Sequence, residues 1–188
     1  MKPDIAKHIK EGIEVKQRIL DGMLPLIEKA AQVMADCLKQ GHKLLFCGNG
    51  GSASDSQHLA AEFVGRYEKE RPALAAIALT TDTSILTAIG NDYGFERIFE
   101  RQVEALGKKG DVVVAISTSG NSKNVLKGVE KAKQMGLYTI AFSGGSGGSL
   151  ASQADLALVI ASDKTSRIQE SHILIGHILC ECVDELLS

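Results

Sequence analysis

The sequence predicts a single α/β domain with a five-stranded parallel sheet flanked by helices. Five short apolar runs recur along the chain, and each is continuous rather than alternating, which is typical of parallel strands covered on both faces. The segments between the runs, such as 121–135, have helical length and composition, so right-handed crossovers between parallel strands are expected. The five runs are residues 43–47, 73–79, 112–116, 137–142 and 156–160.

The first forty residues are predicted to be helical. A broken apolar stripe marks one segment, and Gly22 separates it from a second segment with apolar residues at helical spacing. Gly41 stands where a glycine commonly follows the end of a helix. The first stripe contains Ile5, Ile9, Ile13, Ile19 and Leu20, and the second contains Leu24, Ile27, Ala31, Met34 and Leu38.

The chain is predicted to close with one long helix from about residue 165 to residue 187. No internal repeat and no linker interrupts the sequence, and 188 residues suit one ordinary globular domain. We therefore expect a single domain over 1–188, in which 1–40 is an N-terminal helical extension. Apolar residues of the closing helix include Ile168, Ile175, Leu179, Val183 and Leu186.

Charge and cysteine content indicate a cytoplasmic protein that binds neither nucleic acid nor a membrane. The formal net charge of -2 argues against binding by phosphate neutralisation. The polar start, residues 1–12, contains no apolar stretch long enough for a signal peptide or a membrane span. The four cysteines form no C-x-x-C pair and are expected to be reduced and buried. They are Cys37, Cys47, Cys180 and Cys182.

Two loops that lead from a strand to a helix are suited to anions. Residues 48–52 read Gly-Asn-Gly-Gly-Ser, and residues 117–122 read Ser-Thr-Ser-Gly-Asn-Ser. Glycine permits close approach of the backbone to a ligand, and a helix N-terminus offers free amides and a favourable dipole. Hydroxyl groups add hydrogen bonds to phosphate oxygens. The alternative is a pair of capped turns that bind nothing, which is the weaker choice because two such loops occur together.

A dinucleotide site is the rival interpretation of the first loop. Gly48, Gly50 and Ala53 match G-x-G-x-x-A, and Asp82 is placed to bind a ribose. One such match is weak evidence, and the hydroxyl-rich second loop suits a monophosphate instead. The sequence contains no G-x-x-x-x-G-K-[ST] motif, which argues against a P-loop nucleotide site.

Candidate metal ligands and acid–base groups lie on two predicted helices. His58 and Glu62 are four residues apart, so they share a helix face and could bind a divalent metal, although a surface pair is the more common meaning of that spacing. On the last helix, His172 and His177 are about 140° apart, so at most one of them faces a given site. A histidine on an apolar helix is more often a core residue than a ligand.

Four motifs together resemble the sedoheptulose 7-phosphate isomerases, or phosphoheptose isomerases, of the sugar isomerase (SIS) domain superfamily. The resemblance covers essentially the whole chain, and the serine-rich loop alone marks only the superfamily. The motifs are residues 48–58 continuing to Glu62, residues 90–95, residues 116–122, and residues 167–170 followed by His177.

The resemblance implies a zinc site, a set of sugar-phosphate contacts and a homotetramer with active sites between subunits. By motif, the zinc ligands fall on His58, Glu62, Gln169 and His177. The substrate contacts fall on Asn49, Gly50, Gly51, Ser52, Glu62, Asn91, Asp92, Ser117, Thr118, Ser119, Ser122 and Gln169. The family converts sedoheptulose 7-phosphate to D-glycero-D-manno-heptose 7-phosphate, which leads to the activated heptose of bacterial surface polysaccharide.

The sequence departs from the family pattern at two places. Some members have an acidic residue where this chain has Ser166, so an acid–base role at that position is not expected here. The loop at residues 143–148 lacks a charged residue that is often found there, which is expected to alter ligand contacts slightly.

The implied reaction is an enediol proton transfer in which Glu62 and His177 share the acid–base work and zinc polarises the substrate oxygens. A residue bound firmly to zinc is a poor base, so either one ligand leaves the metal during turnover or zinc chiefly organises the site. Gln169 and His177 are separated by roughly 12 Å of helical rise. Either the helix starts after Gln169, or both side chains stretch, or the two come from different subunits.

Two non-catalytic alternatives remain open from the sequence. A paralogue associated with the replication initiator keeps the fold but lacks the glutamate and the final histidine, and both are present here as Glu62 and His177. Their presence favours an enzyme over an adaptor of that kind. A regulatory SIS domain would bind a sugar phosphate without turnover.

Overall fold

The computed structural model describes residues 3–188, in which five strands alternate with helices after two N-terminal helices. The strands are β1 (Leu44–Gly48), β2 (Ala76–Ala78), β3 (Val112–Ile116), β4 (Tyr138–Gly144) and β5 (Leu156–Ile160). The helices are α1 (Ile5–Gly22), α2 (Leu24–Lys39), α3 (Gly51–Val64), α4 (Thr83–Asp92), α5 (Ile98–Leu106), α6 (Lys123–Gln134), α7 (Gly148–Gln153) and α8 (Thr165–Leu186), with a 3₁₀ turn at Phe95–Arg97.

All strand pairs in the sheet are parallel, in the order β2-β1-β3-β4-β5. The predicted five-stranded parallel sheet is therefore confirmed. The central strands β1 and β3 are buried along their whole length, because helices cover both faces. After β1 the chain turns to β2 on one side, and it then crosses to β3 on the other. The strand order thus reverses between β1 and β3, where open α/β sheets bind their ligands.

Two apolar cores lie on opposite faces of the sheet. On one face, Phe46 of β1 packs among α2, α3 and α8, with Met34, Phe63 and Leu179 fully buried. On the other face, Phe99 of α5 is buried with Val129 of α6 and with residues of β3 and β4. Burial of this apolar area is the main favourable contribution to folding.

Two strands differ in length from the prediction. β2 begins at Ala76 rather than at residue 73, because the amide of Leu74 bonds the carbonyl of Phe63 at the end of α3 instead of joining the sheet. β4 runs on to Gly144, two residues beyond the predicted end, because it pairs with β5 up to Ile160. An apolar run locates a strand, whereas the neighbouring hydrogen bonds set its bounds.

The apolar stripe predicted for α1 is only partly buried. Val15 and Ile19 face the core, but Ile5, Ile9 and Ile13 are 69%, 59% and 59% exposed. α4 likewise has no fully buried side chain within the described part of the chain, although Leu86 and Ile89 pack partly buried against the second core. These two helices present apolar residues to solvent that this chain does not cover. No helix among residues 3–188 is both long enough and apolar enough to cross a membrane.

Candidate active site

The two anion-binding loops predicted from sequence lie side by side at the point where the strand order reverses. Residues 48–52 follow β1 and lead into α3, and residues 117–122 follow β3 and lead into α6. Since β1 and β3 are adjacent parallel strands, their carboxyl ends meet at one edge of the sheet. Each loop therefore directs the N-terminus of a helix, with its free amides, towards the same crevice.

The hydroxyl groups of the second loop are clustered. Ser117 Oγ lies 3.0 Å from Ser122 Oγ and 3.5 Å from Ser119 Oγ. Ser122 stands at the N-cap of α6, but in the chain as described its side chain makes no capping hydrogen bond. The capped-turn interpretation needs that bond, so the hydroxyl cluster is better explained as a set of ligands for an anion.

Glycines hold the second loop against the loop that follows β4. Gly120 has φ +64°, and a Cβ atom there would lie 2.0 Å from the carbonyl oxygen of Gly147. A Cβ on Gly148 would lie 2.7 Å from the backbone of Gly120. The amide of Leu150 donates to the Gly120 carbonyl at 2.9 Å. Only glycine permits this close approach of two backbones. The segment after β4 therefore packs against the loop that carries the hydroxyl cluster and helps to fix its conformation.

An amide pair joins the two loops. Asn49 Nδ2 donates to Asn124 Oδ1 at 2.9 Å, and Asn124 Nδ2 donates to Asn49 Oδ1 at 2.8 Å. Asn124 is only 3% exposed, and its Oδ1 also accepts from the amide of Val125. A reciprocal pair of this kind fixes both amides, so Asn49 has one N–H and one lone pair left for a ligand.

An open cavity of about 600 Å³ lies beside this pair. It is bounded by both loops and by the segment that directly follows Asn91 and Asp92, whose side chains are exposed and hydrogen-bonded to each other. Its volume suits a phosphorylated sugar. The lining residues are Asn49, Tyr93, Gly94, Phe95, Glu96, Ser122, Lys123 and Asn124.

Three predicted metal ligands come together between α3 and α8. His58 Nε2 lies 3.0 Å from Glu62 Oε1 and 3.2 Å from His177 Nε2. One ligand atom from each residue lies within 4.8 Å of the other two. The His58 side chain is 48% exposed and that of Glu62 is 24% exposed, so small molecules can reach the cluster. Three atoms with lone pairs at such separations are stabilised by a shared cation or proton.

Close packing between α3 and α8 sets the geometry of this cluster. A Cβ atom on Gly176 would lie 2.6 Å from Leu59 Cδ2, so the residues that precede His177 and follow His58 are in direct contact. Tyr67 stacks on the His177 ring with the centroids 5.6 Å apart. Packing on both sides thus holds the cluster in addition to the contacts among its own members.

Arg71 fastens the C-terminal end of α3 to α8. Its Nη2 donates to the carbonyl of Glu62 at 3.0 Å, and its Nη1 donates to that of Phe63 at 2.9 Å. Its Nε donates to Asp184 Oδ1 at 2.6 Å in a pair whose side chains are only 12% and 4% exposed. Helix carbonyls that would lack partners are therefore satisfied next to a catalytic candidate.

Gln169, the fourth predicted ligand, bonds Asp55 rather than the cluster. Its Nε2 lies 2.7 Å and 2.9 Å from the two carboxylate oxygens of Asp55. Asp55 is 5% exposed, and this burial raises its pKa against the opposing effect of the Gln169 bond. α8 runs unbroken through Gln169 and His177, so the possibility that the helix starts after Gln169 is excluded.

His172 lies away from the cluster, in the core. Its Nε2 is 3.0 Å from the carbonyl oxygen of Ser143, and its ring packs against Phe142. Burial lowers the pKa of His172 to about 4, against the raising effect of the Ser143 bond, so it is neutral at physiological pH. The two histidines of α8 thus face different surroundings, as the helical spacing predicts.

Five residues of the site were not found by reasoning from sequence. Asp55 precedes His58 by one helical turn, and that spacing was a usable signal. Lys123 directly follows Ser122 of the second loop, which was also a usable signal, whereas the other three join the site through long-range contacts that no local pattern reveals. These three are Tyr67, Arg71 and Asn124.

The parallel sheet and the hydroxyl-rich loop define a SIS-domain protein, and the family model described as "SIS domain" matches residues 7–144. Among curated relatives, the phosphoheptose isomerase of Aquifex aeolicus is 55% identical over 183 residues, 97% of this chain and 96% of that protein. The chain belongs to the phosphoheptose isomerase family, a family of aldose–ketose isomerases, which confirms the resemblance seen in the sequence.

Solved structures agree with this assignment over nearly the full length. The phosphoheptose isomerase of Neisseria gonorrhoeae superposes with a TM-score of 0.92 at 48% identity, over 96% of this chain and 97% of that one. The phosphoheptose isomerase of Francisella tularensis gives a TM-score of 0.93 at 42% identity, with 96% of each chain covered. The adaptor and sensor alternatives are not favoured by these relatives.

Proposed function

We propose that the protein converts sedoheptulose 7-phosphate to D-glycero-D-manno-heptose 7-phosphate by enediol proton transfer. The observation that carries the proposal is the cluster of His58, Glu62 and His177 in a member of the phosphoheptose isomerase family. An aldose–ketose isomerase needs a base, a second proton-transfer group and a means of stabilising enediolate oxygens. The cluster contains chemical groups suited to each task.

The phosphate is assigned to the hydroxyl cluster of the second loop. Ser117, Thr118, Ser119 and Ser122 offer hydroxyls at the N-terminal end of α6, where the helix dipole favours an anion. Lys123 lies on the cavity wall next to this group and adds a positive charge. The sugar is assigned to Asn49, Gly50, Gly51, Ser52, Glu62, Asn91, Asp92 and Gln169, as the family resemblance implies.

The donor set of the cluster suits zinc. Two imidazoles and a carboxylate are common zinc ligands, and tetrahedral ligands 2.0–2.1 Å from an ion are about 3.3 Å apart. The separations of 3.0 Å and 3.2 Å between ligand atoms are close to that value. We assign His58, Glu62 and His177, with Gln169 as the fourth ligand, to the metal. Bound zinc would supply Lewis-acid polarisation of the carbonyl and hydroxyl oxygens.

Glu62 and His177 are assigned the acid–base steps. One removes the proton from the carbon next to the carbonyl and returns it to the neighbouring carbon, while the other moves the hydroxyl proton between the two oxygens. Both groups are partly exposed, so a proton that either one takes from the substrate exchanges with water before it is delivered to the neighbouring carbon. Tyr67 limits the freedom of the His177 ring by stacking on it.

We assign the active form to a homotetramer with sites between subunits. The exposed Ile5, Ile9 and Ile13 of α1 and the uncovered face of α4 are apolar surfaces of the kind that subunits bury. The cavity next to the loops is lined by the loops that follow β1 and β3, by the start of α6 and by the segment that follows α4, whereas the cluster lies on α3 and α8. A neighbouring subunit would bring a second set of residues to complete each site.

The cellular setting follows from the proposed reaction. A sugar phosphate is an intracellular metabolite, so the cytoplasm is the compartment that fits the activity. The single domain over 1–188 with a helical extension at 1–40 remains a prediction, and its first two residues lie outside the described ones. The product would feed synthesis of activated heptose for surface polysaccharide.

A turnover assay tests the proposal. Purified zinc-loaded protein is incubated with sedoheptulose 7-phosphate, and NMR follows new aldose anomeric signals, with six- and five-carbon ketose phosphates in parallel. Aldose formed only from the heptulose, and lost on chelation, is the expected result. Binding of the heptulose without any turnover would refute the enzymatic assignment.

A further inference from the structure

Asp55 is a buried carboxylate that neither the predicted ligands nor the predicted substrate contacts include. It lies on α3, one turn before His58, and is 5% exposed. Among residues 3–188, the only hydrogen bonds found for its side chain come from Gln169 Nε2, at 2.7 Å and 2.9 Å. Burial of a carboxylate with a single hydrogen-bonding partner costs free energy of folding. Its presence therefore indicates a role other than stability.

The chemistry of the two groups dictates how the Gln169 amide is turned. Both oxygens of Asp55 accept from Gln169, and a carboxylate can only accept hydrogen bonds. If the amide were rotated by 180°, its oxygen would face two acceptor oxygens and leave all of them unsatisfied. The NH₂ group must therefore face Asp55, and the carbonyl oxygen of Gln169 must face away from it.

This orientation matters because the two ends of an amide differ in what they bind. A metal ion is coordinated by the amide oxygen and not by the amide nitrogen, and hydroxyl groups of a sugar also donate to that oxygen. The Gln169 side chain also lies over Gly51 of the first loop, where a Cβ would be 3.5 Å from Gln169 Cγ. Its position is thus fixed on one side by the loop and on the other by Asp55.

We propose that Asp55 is a positioning residue that holds the Gln169 amide so that its oxygen, and not its nitrogen, is presented to the metal and the sugar phosphate. The inference rests on the proposed function, in which Gln169 binds both. Partners that orient a metal ligand in this way contribute strongly to affinity, and their loss costs about 10–100-fold in metal binding or activity.

The test exchanges the hydrogen-bond donor and acceptor between positions 55 and 169. Asp55→Asn removes the acceptor pair, allows the amide of Gln169 to turn, and is expected to weaken zinc binding by about 10–100-fold. In the double variant Asp55→Asn with Gln169→Glu, the new asparagine donates to the new carboxylate. That variant restores a hydrogen bond with reversed polarity at unchanged total charge, and it leaves one oxygen free for the site. We expect it to recover most of the lost zinc affinity.

Zinc affinity is measured by competition with a chromophoric chelator, together with kcat and KM for sedoheptulose 7-phosphate. Glu181→Gln is the matched control, because Glu181 is an exposed carboxylate on α8 one turn after His177 and far along the helix from Gln169. It removes a nearby charge without touching the pair. Thermal denaturation with chelator present checks that each variant is folded.

The outcomes separate the inference from the proposed function. Wild-type protein that binds no zinc and forms no aldose would overturn both. The positioning role alone would be overturned if the wild type binds zinc and forms aldose while Asp55→Asn keeps the zinc affinity of the wild type. It would equally be overturned if the zinc affinity of Asp55→Asn is no lower than that of Glu181→Gln. If Asp55→Asn does not fold, the double variant decides, since zinc binding near the wild-type value supports the role and its loss overturns it.

Discussion

Replacing Arg71 by Met is expected to destabilise the protein at the contact between α3 and α8. Met keeps much of the aliphatic length of the side chain but removes the guanidinium group. That group bonds Asp184 Oδ1 at 2.6 Å and the carbonyls of Glu62 and Phe63 at 3.0 Å and 2.9 Å. In the described part of the chain, Asp184 Oδ2 has no hydrogen-bond partner of its own. The substitution therefore leaves a buried carboxylate without any compensating group.

The magnitude follows from the burial of the pair. The side chain of Asp184 is 4% exposed and that of Arg71 is 12% exposed, so water replaces the lost partner poorly. Removal of one member of a buried ion pair costs about 3–5 kcal/mol, whereas replacement of both by apolar residues is often close to neutral. We therefore expect Arg71→Met to lower the free energy of unfolding by about 3–5 kcal/mol, and Asp184→Leu added to it to restore more than half of that loss.

The assay is equilibrium denaturation in urea, followed by circular dichroism at one fixed protein concentration because subunit association contributes to stability. The wild type, both single variants and the double variant form a complete double-mutant cycle. Additive effects of the two substitutions would refute the reasoning, since they would mean that the two side chains do not interact.

Two further predictions concern α8. The pKa of His172 is lowered by burial to about 4 from 6.5, so the unfolded chain binds more protons than the folded protein between those values. The free energy of unfolding therefore falls as the pH drops through that window, by up to about 3 kcal/mol. His172→Phe is expected to flatten this slope in denaturation curves recorded at pH 6.5 to 4.5, and an unchanged slope would show that another group titrates. Gly176→Ala would bring a Cβ to 2.6 Å from Leu59 Cδ2, so it is expected to cost about 1–3 kcal/mol of unfolding free energy and to weaken zinc binding. Wild-type zinc affinity in that variant would contradict the packing argument.

The fold was predictable because its signals are local and repeated. Continuous apolar runs marked the five strands, and glycine-rich or serine-rich residues marked the loops at their ends. The bounds of β2 were not predictable, because they depend on a hydrogen bond from Leu74 to Phe63 that joins separate elements. Exposure of Ile5, Ile9 and Ile13 was not predictable either, since an apolar stripe does not tell whether its own chain or another covers it.

The candidate site was only partly predictable. Helical spacing indicated that His58 and Glu62 share a face and that His172 and His177 do not. The meeting of His177 with His58 depends on packing between α3 and α8, which sequence spacing cannot give. For the same reason the partner of Gln169 was missed, although Asp55 lies on the same helix as His58.

The most direct test of the proposed proton transfer is isomerisation in D₂O. Sedoheptulose 7-phosphate is incubated with zinc-loaded wild-type protein and with the Glu62→Gln variant, and NMR measures deuterium at C2 of the aldose product. Because Glu62 and His177 are partly exposed and exchange with solvent, the wild type is expected to introduce deuterium, and the variant is expected to be slower by about 10²–10⁴-fold. An aldose product without deuterium, or a variant as fast as the wild type, would contradict proton transfer by Glu62.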